Sequence, residues 1–211
     1  CCNTSGVLTK RNNQPQTAYS PFDKNRDGLA IAEGAGVLIL EPQLRIAKSN
    51  KKVYANIIGY GTTTDGVNRT DPAKDAFQLA RAIKIALKDA ALEPKDIDYI
   101  CADGAGTVLG DITETKAIKQ VFNGYAKKIP VSAPKSVFGN MLGACGALDV
   151  ATTVLAMEHS MVPPTINYKT PDPECDLDYC PNKAQEKSIK NALVINRGRG
   201  GINCVLALQK A

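Results

Sequence analysis

The sequence predicts an α/β layered domain with a largely parallel, buried sheet. The first observation behind this is order. Apolar strand-like runs alternate with stretches at helical spacing, giving strand, helix, strand, helix, strand, helix and two closing strands. The second is the apolar, glycine-studded character of the runs, which suits strands covered on both faces. The third is composition. Of 211 residues, 44% are hydrophobic and 22% charged, with 17 Gly and 12 Pro, which excludes wholesale disorder, collagen and coiled coil. No apolar run approaches the ~18 residues of a membrane-spanning helix, and no linker or fixed-period repeat divides the chain.

Residues 1–27 are polar and turn-rich and read as loop. Two apolar runs, 29–32 and 34–40, follow; the second reads as a buried strand and the two could pair. Residues 43–49 suit a short helix and 53–64 a long strand. Asp71-Pro72 predicts a helix start, with Asp71 as cap and Pro72 in the first helical position. Phe77, Ala80, Ile83, Leu87 and Ala90-Ala91 form its inward stripe. Residues 97–101 suit a strand. A helix over 111–122 turns Ile112, Ala117, Ile118 and Val121 inward, and 129–132 form a further strand. The stretch 143–159 is almost wholly apolar, so its helix is expected to be buried on most sides and to stop at Pro163-Pro164. Residues 192–196 and 202–208 close the sheet around Gly198, Gly200 and Gly201.

The formal charge of +5 comes from scattered lysines, and only 5% of residues are aromatic. That pattern is a solvated, mildly basic surface rather than a nucleic-acid groove; docking of a small acidic carrier stays open. Cys101, Cys145 and Cys204 lie in apolar runs, where Cys acts as a small hydrophobe. Cys175 and Cys180 are spaced too loosely for zinc without further ligands. No metal or cofactor is implied. The chain has a single imidazole, His159, placed near a helix C-terminus. Nothing reads as a signal peptide, so a cytoplasmic setting is expected. The first residue is not Met, so position 1 is read as not a natural start.

Several motifs carry a resemblance. They are 21–28 (Pro-Phe-Asp-Lys-Asn-Arg-Asp-Gly), Glu33-Gly34-Ala35-Gly36, Pro134-Lys135-Ser136, 143–147 (Gly-Ala-Cys-Gly-Ala), Pro163-Pro164-Thr165-Ile166-Asn167, Asp176-Leu177-Asp178-Tyr179 and 198–203. In order and spacing they resemble the β-ketoacyl synthase family. The resemblance implies the C-terminal half of a thiolase-like layered fold, with 1–27 a loop following a missing N-terminal half and 28–211 the domain. That N-terminal half, on another chain or segment, would supply the neighbours that 29–41 need.

The departures from the family pattern matter most. Active synthases use two histidines from this half, which hold the malonyl carboxylate and stabilise developing negative charge. Here Asp103 and Asn140 occupy those positions, so no catalytic residue is intact. A carboxylate at 103 would repel both malonyl and enolate, and Asn140 can donate a hydrogen bond but cannot move a proton. Lys135 and Glu114 are retained polar positions, and the glycine-phenylalanine gate is altered to Arg197 and Arg199. With 102–106, 131–135 and 148–159, these changes resemble the chain length factors of type II polyketide synthases. The resemblance then implies a catalytically silent subunit, paired as a heterodimer with an active ketosynthase α, served by acyl carrier protein and limiting chain length. The alternatives are the C-terminal part of an active acyl-carrier-protein-dependent synthase and a purely architectural subunit of a fatty-acid-like complex.

Plainer readings stand beside these. Lys135 and Glu114 suit structural polar contacts, and Asp103 is either a working group or a tolerated replacement. The 139–146 stretch lacks the glycine spacing of a nucleotide fingerprint and suits close backbone packing, with Cys145 in the core. For Arg197 and Arg199 the simpler account is a turn exposed to water.

Overall fold

The computed structural model describes residue 2 and residues 4–211. The part of the expected N-terminal loop that falls on Cys1 and Asn3 lies outside the described residues. In chain order the elements are α1 (Gln43–Ile46), β1 (Ala55–Thr64), α2 (Phe77–Asp89), β2 (Tyr99–Cys101), α3 (Val108–Phe122), β3 (Val131–Ser132), α4 (Lys135–Phe138), α5 (Cys145–His159), β4 (Met161–Val162), β5 (Gln185–Glu186), β6 (Asn191–Gly198) and β7 (Ile202–Lys210).

Five strands form one sheet in the order β1-β7-β6-β2-β3, and β4 and β5 form a small separate pair. β2 pairs in parallel with β3 and β6, whereas β6–β7 and β7–β1 are antiparallel. The sheet is therefore mixed, which corrects the largely parallel sheet expected from the sequence. The reason is local. Arg199-Gly200-Gly201 lets β6 turn straight back as β7, with both glycines at positive φ. Along β6 and β7, alternate residues face opposite layers. Leu193, Ile195, Val205 and Ala207 join the core beneath α2 and α3, while Ala192, Val194 and Leu208 join Val150, Ala156 and Met157 of α5. The result is an α/β/α sandwich, the expected fold class. Among the described residues no helix is long and apolar enough to cross a membrane.

Other sequence expectations also differ from the structure. Helix α2 begins at Phe77 rather than Asp71, because the Asp65 and Asn68 side chains hold residues 70–73 in turns and Ala76 adopts a left-handed conformation at φ 60°. Asp75, not Asp71, accepts the Phe77 N–H, and Phe77 points outward. The 34–40 run is not a buried strand. The preceding 29–32 run makes only isolated bridges, Leu8 to Leu29 and Ile31 to Asn140, and within 34–40 Val37 and Ile39 are 90% and 87% exposed. Apolar character alone does not make a strand when no neighbouring edge is offered. Helix α5 fully buries Cys145, Asp149, Val150, Thr153, Ala156 and Met157, covers most of its other residues in part and leaves only Leu155 and His159 exposed, in line with a helix buried on most sides. It ends at Ser160, in the left-handed region, before the two prolines.

Candidate active-site cleft

The loop that follows β2 carries Asp103, and two glycines shape it. Gly104 and Gly106 have φ of 49° and 72°, and a Cβ on Gly104 would stand 2.3 Å from the Ala133 Cβ. Only glycine fits that approach without strain. Acidic side chains of α3 then hold the loop from behind. Glu114 accepts the N–H groups of Asp103 at 2.7 Å and Gly104 at 2.9 Å. Asp111 accepts the Gly106 N–H at 3.0 Å and the Phe22 N–H at 2.7 Å. Thr107 caps the helix through its hydroxyl, accepting from Gly110 N–H at 3.2 Å. The 19–28 segment closes over this loop: the Tyr19 hydroxyl donates to the Gly104 carbonyl at 2.8 Å, and Gly28 N–H donates to the Gly106 carbonyl at 2.9 Å.

Beside the loop, β3 leads into α4 and delivers Lys135. Its side chain is 1% exposed. Nζ donates to Asp149 Oδ2 of α5 at 2.6 Å and stands 3.4 Å from Asp103 Oδ1. Asn196 of β6 completes the cluster, donating to the same Asp149 oxygen at 2.5 Å. Asp149 Oδ1 is buried with no hydrogen-bond partner among the described residues. Burial works against the Lys135 ammonium, yet Asp103 and Asp149 outweigh it and hold its pKa well above the ordinary lysine range. Burial likewise pushes the Asp149 carboxyl up, opposed by Lys135. Behind the loop, burial raises Asp111 to about 7 and Glu114 to about 8.

These groups surround a cleft of about 520 Å³ at the C-terminal ends of β2, β3 and β6, lined by Asp103, Lys135, Asn140, Cys145, Asn196 and Arg197 among others. Ligand sites of α/β sheets favour such strand ends. The structure thus brings together Asp103, Asn140, Lys135, Arg197 and Arg199, all of which line the cleft, and sets Glu114 behind its wall. Asn140 follows Gly139, whose Cβ would meet the Ala32 Cβ at 2.6 Å. The Asn140 side-chain oxygen is used locally, accepting the Leu142 N–H at 3.0 Å and facing the Cys145 thiol at 3.5 Å.

Arg197 departs from the water-exposed turn expected of it. It is largely buried, donates to the Gly110 carbonyl and the Thr113 hydroxyl at 3.1 and 2.9 Å, and reaches Asn203 at 3.2 Å. Arg199 is exposed beside Cys2 and Ser5. His159 lies at the far end of α5, some 20 Å along a helix of this length, so no imidazole lines the cleft. Burial raises the Cys145 thiol above its ordinary range, which disfavours the thiolate a nucleophile needs.

Three residues that hold the site escaped the sequence reading: Asp149, Asn196 and Arg26. The signal for Asp149 was present, since a lone acid inside an apolar helix needs a buried partner.

Residues 54–169 match the family model described as "Beta-ketoacyl synthase, C-terminal domain". A 3-oxoacyl-[acyl-carrier-protein] synthase 2 of Synechocystis is 43% identical over 204 residues, 97% of this chain and 49% of that protein. A chain from a complex of a type II polyketide synthase acyl-carrier protein with its ketosynthase, bound to the hexaketide, superposes with a TM-score of 0.96 at 40% identity. The match covers all of this chain and 52% of that one. The ishigamide ketosynthase/chain length factor superposes with a TM-score of 0.91 at 36% identity, covering all of this chain and 50% of its own. The chain spans about half the length of the curated relatives it matches.

Proposed function

The chain belongs to the β-ketoacyl synthase family, and from that premise we propose that it forms half of a chain-length-factor-type subunit whose own cleft does no condensation. The observation that carries this reading is the Asp103–Lys135–Asp149 ion cluster at the cleft base. A site that decarboxylates malonyl groups and stabilises the resulting enolate needs neutral or cationic donors facing the substrate. This cleft offers a carboxylate at one of the two expected histidine positions and, at the other, an amide that can donate a hydrogen bond but carries no charge and moves no proton. On this reading the subunit pairs in the cytoplasm with an active ketosynthase α, which receives carrier-bound chains, and its contribution is to the shape of the shared tunnel. The ishigamide ketosynthase/chain length factor, whose name covers both kinds of subunit, is compatible with this reading and with the next.

A second reading, an active acyl-carrier-protein-dependent synthase, is favoured by a different observation. The Synechocystis relative at 43% identity is named as a synthase. Lys135 and Glu114 also keep the positions that the family resemblance gives them. The two readings differ in whether this chain's cleft does chemistry.

The test is co-expression of the complete protein that carries this chain with a ketosynthase, followed by size exclusion and a condensation assay. The proposal expects a stable heterodimer in which activity depends only on the partner's nucleophile. A homodimer that condenses acyl and malonyl carrier proteins without the partner would establish the active synthase instead.

A further inference from the structure

We propose that Asp103 is a specificity-determining residue: by holding Lys135 in a cluster with Asp149, it denies small carboxylate anions the most deeply buried cation lining the cleft. The inference rests on the reading of the cleft as non-condensing, since a site that admits a carboxylated substrate could not keep this arrangement.

The geometry separates the two aspartates. Asp149 makes the short contact to Lys135, 2.6 Å, and its side chain is fully buried. Asp103 makes the longer one, 3.4 Å, its side chain is 10% exposed, and it lines the cleft where Asp149 does not. A carboxylate arriving through the cleft would therefore have to displace Asp103, not Asp149. Two carboxylates already face one ammonium, so an added anion meets an excess of negative charge in a poorly screened pocket. The neighbouring cation offers no substitute, because Arg197 is committed to Gly110, Thr113 and Asn203. The backbone fixes Asp103 in place: its N–H is held by Glu114, and Gly104 behind it packs on Ala133 with no space to spare. Removing only the Asp103 charge should expose a lysine still anchored by Asp149, which Asn196 holds in turn, leaving the ammonium free to make a charge-assisted bond to an incoming carboxylate.

The experiment uses the complete protein that carries this chain, titrated with malonate and with acetate at constant ionic strength by calorimetry. The wild type should show no saturable binding. Asp103→Asn should bind malonate at least about tenfold more tightly than the wild-type limit, and Asp103→Asn combined with Lys135→Met should lose that gain. Wild-type binding as tight as that of Asp103→Asn overturns the proposal. So does a gain that survives Lys135→Met, which would place the anion elsewhere, as at Arg199. Should Asp103→Asn fail to fold, wild-type melting decides: millimolar malonate should shift it no more than chloride of equal ionic strength, and a larger rise overturns the proposal. Condensation by the wild-type cleft would overturn the non-condensing reading, and it is read in a separate assay.

Discussion

Arg26 and Asp111 form an ion pair at 3.3 Å whose side chains are 1% and 0% exposed. Around it two distant stretches of chain become one unit. Arg26 also reaches the carbonyls of Asp23, Thr107 and Val108 and the Asp172 carboxylate, while Asp111 holds the N–H groups of Phe22 and Gly106. The pair is thus the tie between the 19–28 segment and the cleft loop.

Removing one partner leaves an uncompensated buried charge, the costly way to break such a pair. Above pH 7, where the Asp111 carboxyl is ionised, Arg26→Met should lower the stability of the protein that carries this chain by about 3–5 kcal/mol, measured by urea denaturation at about pH 8. A loss below about 1 kcal/mol, the range of an exposed pair, would show that the tie does not hold the loop.

Stability should fall as pH rises from about 5 to 8. Burial raises the Asp111 and Glu114 carboxyls to about 7 and about 8, more than their backbone N–H partners lower them. The folded protein therefore keeps protons that the unfolded chain has released above about pH 4. Their stabilisation is complete below the unfolded pKa values and is lost as pH rises through the folded ones, with a slope of up to about 1.4 kcal/mol per pH unit for each group. The carboxyls lowered by their partners, Asp27, Glu158, Asp172 and Asp176, act in the opposite sense but in the acid range, at and below the ordinary carboxylate values. Glu114→Gln should flatten the limb that extends toward pH 8. Wild-type stability that climbs between pH 5 and 8 would contradict the burial effect.

Gly61 sets the approach of α2 to the sheet. A Cβ there would lie 2.1 Å from the Ala82 carbonyl oxygen and 2.8 Å from the Ala86 nitrogen, both helix backbone that cannot rotate away. Gly61→Ala should therefore cost about 1–3 kcal/mol or more, as overpacking does. Gly124→Ala, which meets nothing within 4 Å, is the matched control. Equal melting temperatures for the two variants would refute this account of the packing.

Much of the fold was legible because periodicity reports burial. The stripe Ala117, Ile118, Val121 on α3 and the closing strands β6 and β7 lie where their spacing placed them. The start of α2 was not legible, because the turns made by Asp65 and Asn68 override a good capping sequence. The direction of pairing was not legible either: a Gly-Gly turn fixes it for β6 and β7, and apolar composition is the same for parallel and antiparallel neighbours. At the site, Asp103, Asn140 and Lys135 could be singled out one by one by motif position. Their grouping with Asp149 and Asn196 could not, since it joins α4, α5 and β6 across the sheet and no local spacing records it.

The last prediction concerns restoration of chemistry. If the cleft is silent because Asp103 and Asn140 stand where the family resemblance expects histidines, the two changes should not be independent. Asn140→His alone would place an imidazole in a cleft whose base still carries Asp103 and Asp149 around Lys135. The Asp103 carboxylate would still oppose a malonyl carboxylate and any enolate formed from it, so decarboxylation should stay at background. Asp103→His with Asn140→His removes that charge and supplies two donors. An oxyanion-type donor is worth about 10²–10³ in rate, so the double variant should be the first to rise above background. The measurement is carbon dioxide release from malonyl carrier protein, by the complete protein paired with the proposed ketosynthase whose own two site histidines are substituted, against a heat-denatured control. Release by the wild type above that control would show that the cleft is active as it stands. Release by Asn140→His alone equal to that of the double variant would show that Asp103 is not what silences it.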